Sequence, residues 1–176
     1  EITPKNILQK VNTPKDSLLY SKAMESAITL VKNNDEILPL STNKKYLHVS
    51  FGKNNNSEYL TNKMDLYVDV ERFESDDYSS IYSKTDYDAI IISYHGSSSS
   101  PYASNIIPDD IVGKIDNISK SNNVILNLFL NPYSLNSFES IDNFESIIIS
   151  YQNNMISQEI SADLMFGVRS FKGKIP

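Results

Sequence analysis

Acid–base chemistry in this 176-residue, cysteine-free chain has to come from two histidines, His48 and His95, and from 22 carboxylates. His95 heads the polar run His95-Gly96-Ser97-Ser98-Ser99-Ser100-Pro101-Tyr102, which follows the apolar run Ala89-Ile90-Ile91-Ile92-Ser93-Tyr94. An apolar run opening into a polar loop predicts the carboxyl end of a central strand, where open α/β sheets collect ligands. An imidazole there can move a proton near neutral pH or hydrogen-bond a sugar hydroxyl. A single histidine without an assigned partner more often anchors its loop. His95, Ser97, Tyr102 and Asn105 are the candidate rim of a substrate site. His48 falls inside a predicted strand, where partial burial and a hydrogen bond are expected.

Other chemistries are disfavoured by spacing. A serine nucleophile wants a strained G-x-S-x-G elbow with a histidine and an acid around it, and His95-Gly96-Ser97 does not fit that pattern. Gly52-Lys53-Asn54-Asn55-Asn56-Ser57 follows a predicted strand but lacks the glycine spacing of a dinucleotide fingerprint or a phosphate loop. Two histidines and no cysteine disfavour a metal centre, so no metal or cofactor is expected. Glycoside hydrolysis needs two carboxyl groups roughly 5 to 10 Å apart. Glu71, Glu74, Asp76, Asp77, Asp86, Asp88, Asp109 and Asp110 are available, mostly at element ends, and spacing selects no pair among them.

A net charge of −6 argues against a nucleic-acid or anionic-membrane partner, because phosphate recognition depends on Lys and Arg. No stretch approaches the roughly 18 to 20 apolar residues of a membrane span. The start at Glu1-Ile2-Thr3-Pro4 has no signal-peptide pattern and suggests a fragment boundary. The abundant Asn, Ser, Lys and Ile are a background of the whole chain.

The elements that must position His95 read as follows. Thr13, Pro14 and Asp16 form a helix start, and Leu19, Tyr20, Ala23, Met24, Ala27, Leu30 and Val31 give an apolar face, predicting a helix over 14–33. Ile37-Leu38-Pro39-Leu40 is an extended apolar link able to dock on a neighbouring surface. Strands are predicted at 46–52, 66–73, 89–95, 123–130 and 146–152, the second of them an outer strand. The β-branched runs at 89–94 and 146–151 are those of a parallel sheet covered on both faces. Helical stretches near 57–63, 77–84, 108–121, 133–140 and 154–167 alternate with them. The expectation is a single α/β domain over 1–176: a three-layer α/β/α sandwich with a mostly parallel sheet of five or six strands, preceded by a linker-like segment at 1–12.

Two separated segments carry a family resemblance. Ala23-Met24-Glu25-Ser26-Ala27-Ile28-Thr29-Leu30-Val31-Lys32-Asn33, closing on Ile37-Leu38-Pro39-Leu40, resembles the opening of the second domain of family-three glycoside hydrolases, departing from the pattern at Ala27. Gln158-Glu159-Ile160-Ser161-Ala162-Asp163-Leu164-Met165-Phe166-Gly167, followed by Gly173-Lys174-Ile175-Pro176, resembles that domain's close, with Met165 and Ile175 replacing the usual Leu. Asn131-Pro132-Tyr133-Ser134 and Ser150-Tyr151-Gln152-Asn153 look like the β-N-acetylhexosaminidase-like branch. The ordered pair of motifs spans nearly the whole chain.

The resemblance implies a hydrolase of O-glycosidic bonds whose aspartate nucleophile sits on a preceding (β/α)₈ barrel, with that barrel and a carbohydrate as partners. It implies no catalytic residue in this segment. In the β-glucosidase branch the second domain can supply a glutamate, but no glutamate here matches that position. In the hexosaminidase-like branch the His and Asp acid/base pair belongs to a barrel loop, so His95 is not given that role. The residues leave the compartment open, and the resemblance leans towards a periplasmic or secreted one. A competing expectation is a non-catalytic carbohydrate-binding or interaction module, with Tyr94, Tyr102, Tyr133 and Tyr151 stacking on sugars. A flavodoxin-like signalling domain would want clustered acids where Phe51-Gly52-Lys53 stands.

Overall fold

A computed structural model describes residues 13–52, 56–96 and 106–175. The expected linker-like segment at 1–12 and the loop residues Ser97, Tyr102 and Asn105 lie outside the described residues. Helix α1 (Pro14–Ala27) starts as its sequence dictates: Thr13 Oγ1 accepts from the Asp16 N–H, while Asp16 Oδ2 accepts from the Thr13 N–H at 2.9 Å. This reciprocal capping box satisfies donors that a helix start otherwise leaves open. The helix then stops at Ala27, and Thr29–Asn33 is strand β1, paired antiparallel with 146–149. The expected helix over 14–33 is therefore corrected over its last six residues. Ile28, Thr29 and Val31 are β-branched and favour a pleated surface over a helix once a partner strand exists.

The remaining strands are β2 (Tyr46–Phe51), β3 (Val70–Arg72), β4 (Ala89–His95), β5 (Val124–Phe129) and β6 (Ser146–Ile149), in the sheet order β1-β6-β5-β4-β2-β3. All neighbours except β1 and β6 run parallel. The architecture is the six-stranded, mostly parallel α/β sandwich that the alternation predicts. The expected strand at 66–73 contracts to the three residues of β3 at the sheet edge, because Tyr67 and Val68 donate back to Met64 O and prolong the preceding helix turn.

Helices α1, α2 (Glu58–Met64) and α4 (Met155–Met165) cover one face, burying Met24, Leu60, Met64, Ile160 and Leu164 against Ile91, Ile125 and Ile148. Helix α3 (Asp109–Ser119) and short 3₁₀ turns at Tyr78–Ile81 and Pro132–Ser137 cover the other, burying Ile115, Ile118, Ile81 and Phe144 against Ile90, Ile92, Leu126 and Ile147. Each fully buried Ile or Leu contributes about 1.5 to 3 kcal/mol, so these two apolar layers hold the domain together. Leu38 and Leu40 are also spent here: both are buried in the α1/α2/α4 layer, and the Leu40 N–H donates to Met165 O at 2.8 Å. The extended link thus docks on its own domain.

Candidate functional site

Near the carboxyl ends of the strands, the face towards α4 changes from apolar to polar. His48 on β2, Ser93 and His95 on β4, Asn127 on β5 and Ser150 just after β6 are all buried there, with Ser157, Gln158 and Ser161 of α4 packed over them. Buried polar groups are tolerated when each finds a partner. Two connected networks provide the partners.

In the first, Asn127 Nδ2 donates to Ser161 Oγ at 2.8 Å, and Ser150 Oγ donates to Asn127 Oδ1 at 2.7 Å. In the second, Ser93 Oγ lies 2.7 Å from His48 Nε2 and 2.8 Å from His95 Nε2, and His95 Nδ1 lies 2.9 Å from Asn153 Oδ1. Backbone groups fix the direction of this chain. The Leu60 N–H must meet the Gln158 oxygen (3.0 Å), and the Asn56 carbonyl must meet the Gln158 nitrogen (2.7 Å). That nitrogen also donates to Asn153 Oδ1 at 2.8 Å, so the Asn153 atom facing His95 is an acceptor and His95 Nδ1 carries a proton. Burial pushes the His95 imidazole down to about 4, against the opposing pull of its Asn153 hydrogen bond. The ring is neutral near pH 7, its Nε2 accepts from Ser93, and Ser93 in turn accepts from His48. Burial, reinforced by the charges of His95 and Arg72, pushes His48 down to about 3.

A serine hydroxyl donating to a histidine is the geometry of an activated nucleophile, but Ser93 and His95 have no exposed surface. Phe129 closes the site further by stacking on the His95 ring, with centroids 4.7 Å apart. These side chains are enclosed within the strand ends. Glycines let the strand ends come this close. A Cβ at Gly52, which has φ of +123°, would stand 2.2 Å from the His95 carbonyl oxygen, so only glycine fits.

Of the residues singled out in the sequence, His95 occupies the predicted strand end, and His48 is buried and hydrogen-bonded as expected. Tyr94 points to the α3 side and packs in the core, Tyr151 is half-buried, and Tyr133 is 76% exposed. The carboxylates stay apart from the histidines. Asp77 caps the 3₁₀ turn through the Ser79 N–H, Asp88 accepts from the Lys45 N–H, and Asp109 and Asp110 occupy the first turn of α3. Among the described residues no group of three or more His, Asp or Glu could hold a metal ion, and no helix is long and apolar enough to cross a membrane. A cleft of about 850 Å³ along edge strand β3 is lined by both basic (Lys44, Arg72, Lys84) and acidic (Glu71, Glu74, Asp86) side chains, and neither histidine lines it.

Sequence reasoning gave no role to the one buried acid among the described residues, Asp163. Asp163 on α4 is buried, accepts from Tyr67 Oη at 2.6 Å and pairs with Lys63 (3.2 Å) and Arg169 Nε (2.9 Å). Burial works to raise its pKa, but the hydrogen bonds from Tyr67, Arg169 and Lys63 outweigh that and hold it below the usual carboxylate range. Arg169 continues to Glu25 of α1, which Lys172 also grips at 2.6 Å, so the segment after α4 is fastened across the helix layer. Its signal was the Asp within the Ala162-Asp163-Leu164 run, an acid among apolar positions of a helix.

No protein-family model and no curated protein sequence matches this chain. Solved structures do. A fungal multi-domain GH3 β-N-acetylglucosaminidase superposes with a TM-score of 0.70 at 15% identity over 95% of this chain. A glycoside hydrolase family 3 β-N-acetylglucosaminidase from Paenibacillus sp. superposes with a TM-score of 0.70 at 15% identity over 93%. The fold is that of a domain found in family 3 glycoside hydrolases. A β-glucoside phosphorylase, BglX, superposes with a TM-score of 0.67 at 20% identity over 98% of this chain. The chain spans only 19%, 32% and 33% of the length of those three proteins.

Proposed function

We propose that this chain is the non-barrel α/β domain of a glycoside hydrolase acting on O-glycosidic bonds, of the β-N-acetylhexosaminidase kind. The observation that carries this reading is the coverage: these three proteins match 93–98% of this chain with 19–33% of their own length. Similarity confined to one part of much longer proteins is the relation expected of a domain within an enzyme. In this reading the nucleophile and the acid/base belong to a (β/α)₈ barrel of the same polypeptide, which is also the domain's packing partner. The domain contributes packing and a substrate rim at the carboxyl ends of its strands. His95 anchors that rim from beneath, and Ser97, Tyr102 and Asn105 are its proposed contacts.

The test is hydrolysis of 4-nitrophenyl N-acetyl-β-glucosaminide by the 176-residue chain alone and by the full polypeptide its gene encodes. Turnover by the full polypeptide and none by the chain is the expected result. Strong turnover by the chain alone would sink the idea. The alternative, a free-standing sugar-binding module, draws on the exposure of Tyr133. It predicts saturable binding of N-acetylglucosamine oligosaccharides by the chain alone.

A further inference from the structure

The polar chain ends on two amides, and those amides join the end of β4 to the segments that follow β2 and β6. Gln158, in the first half of α4 and 2% exposed, uses its whole amide group. Its oxygen takes the Leu60 N–H, and its nitrogen serves the Asn56 carbonyl after β2 and the Asn153 oxygen after β6. Asn153 passes the connection to the end of β4, accepting from His95 Nδ1 and donating to the Gly96 carbonyl at 3.4 Å. We propose that Asn153 and Gln158 are positioning residues that lock the carboxyl ends of β2, β4 and β6 into one mutual register. The proposal rests on the reading above for its functional consequence, because those ends are where the substrate rim is placed.

Side-chain amides suit this role better than carboxylates or hydroxyls. Each has two donor hydrogens and an acceptor oxygen on one rigid plane, so one group can bridge three partners in fixed directions. In a buried setting the bridge has to be complete, because any unpaired member costs about 1 to 3 kcal/mol. Tyr20 of α1 joins the same loop, its hydroxyl donating to Gln152 Oε1 at 2.5 Å and accepting from Asn154 Nδ2 at 2.8 Å. The lock therefore also reaches the first helix.

The test uses Asn153→Leu, which removes acceptor and donor, Asn153→Asp, which keeps the acceptor, and Gln158→Leu. In the 176-residue chain, long-range imidazole ¹⁵N spectra are expected to show His95 protonated on Nδ1 in wild type and in N153D, and to lose that signature in N153L. Amide exchange at Gly96 and Leu60 is expected to rise at least tenfold in N153L and Q158L, with N153D, which keeps the acceptor for His95 but loses the donor to the Gly96 carbonyl, falling between them and wild type. Should N153L fail to fold, Asn153→Ala makes the same comparison. A folded N153L or N153A with unchanged Gly96 exchange and an unchanged His95 tautomer overturns the proposal. In the full polypeptide, N153L and Q158L are expected to raise KM for 4-nitrophenyl N-acetyl-β-glucosaminide several-fold with kcat within about twofold, and N153D to restore it in part. An active full-length N153L with wild-type KM overturns the functional half. If the wild-type full polypeptide is inactive, the glycosidase reading fails, and the tautomer and exchange results still decide the lock.

Discussion

The two faces of the sheet solve the same packing task with different materials. Towards α3 the inward residues of the central strands are apolar along their whole length, from Leu47 and Val49 through Ile90, Ile92 and Tyr94 to Leu126 and Leu128. Towards α4 the same strands begin apolar, with Tyr46, Ala89, Ile91 and Ile125, and turn polar further on, with His48, Ser93, His95 and Asn127, before Phe129 closes β5. An apolar layer rewards burial but accepts related packings at modest cost. A polar layer accepts only the arrangement in which every donor meets an acceptor. Both faces supply apolar stability, and the polar end of the α4 face adds a unique seat for α4 and for the strand ends.

That contrast can be broken or sharpened by measurement, beginning with acid. Both histidines are held neutral in the fold, well below the ordinary histidine value of 6.5, so the unfolded chain binds protons that the native chain refuses. Stability is expected to be full above about pH 6.5 and to fall as pH drops towards about 4 and then 3. Asp163 and Glu25, lowered by their cationic partners, add a further loss below the usual carboxylate range. Urea midpoints between pH 7.5 and 3.5 check this, and a flat profile down to pH 4.5 would contradict neutral buried histidines.

Asn127→Leu is expected to cost about 3 kcal/mol, because Ser150 and Ser161 lose their shared amide in a site without exposed surface. On the opposite face, Ile92→Val is expected to cost about 1 kcal/mol. Equal penalties in denaturant unfolding would erase the distinction between the faces. The smallest effect is expected at Leu19→Ser on α1, within about 0.5 kcal/mol, since Leu19 is 68% exposed. A larger loss would mean that α1 is packed more tightly than its surface indicates.

Much of this fold was legible. The twin Ile-rich runs ending in Ser-Tyr, at 89–94 and 146–151, became β4 and β6, and the helix expected at 154–167 became α4. The tail of α1 was not legible, because Leu30 and Val31 continue the helical spacing and β1's partner lies more than 110 residues further on. His95 stood out as a rare residue type before a polar run. Its partners did not. Asn153 is 58 residues away, and Ser, Asn and Gln are lost in a chain rich in Ser and Asn. The leucines expected to face a neighbour, Leu38 and Leu40, were absorbed by the domain's own core, a competition that local sequence does not show.

The pairing of β1 with β6 also has a consequence for how the molecule comes into being. Within this sheet the strand earliest in the sequence closes against the one latest in it, with residues 29–33 meeting 146–149. On the ribosome, the Ile28–Val31 stretch must wait, unpaired and sticky, while the four intervening strands emerge. Long-range pairing of this kind slows folding and lengthens exposure to aggregation. Cells producing this domain therefore have reason to shield that stretch until β6 has been made.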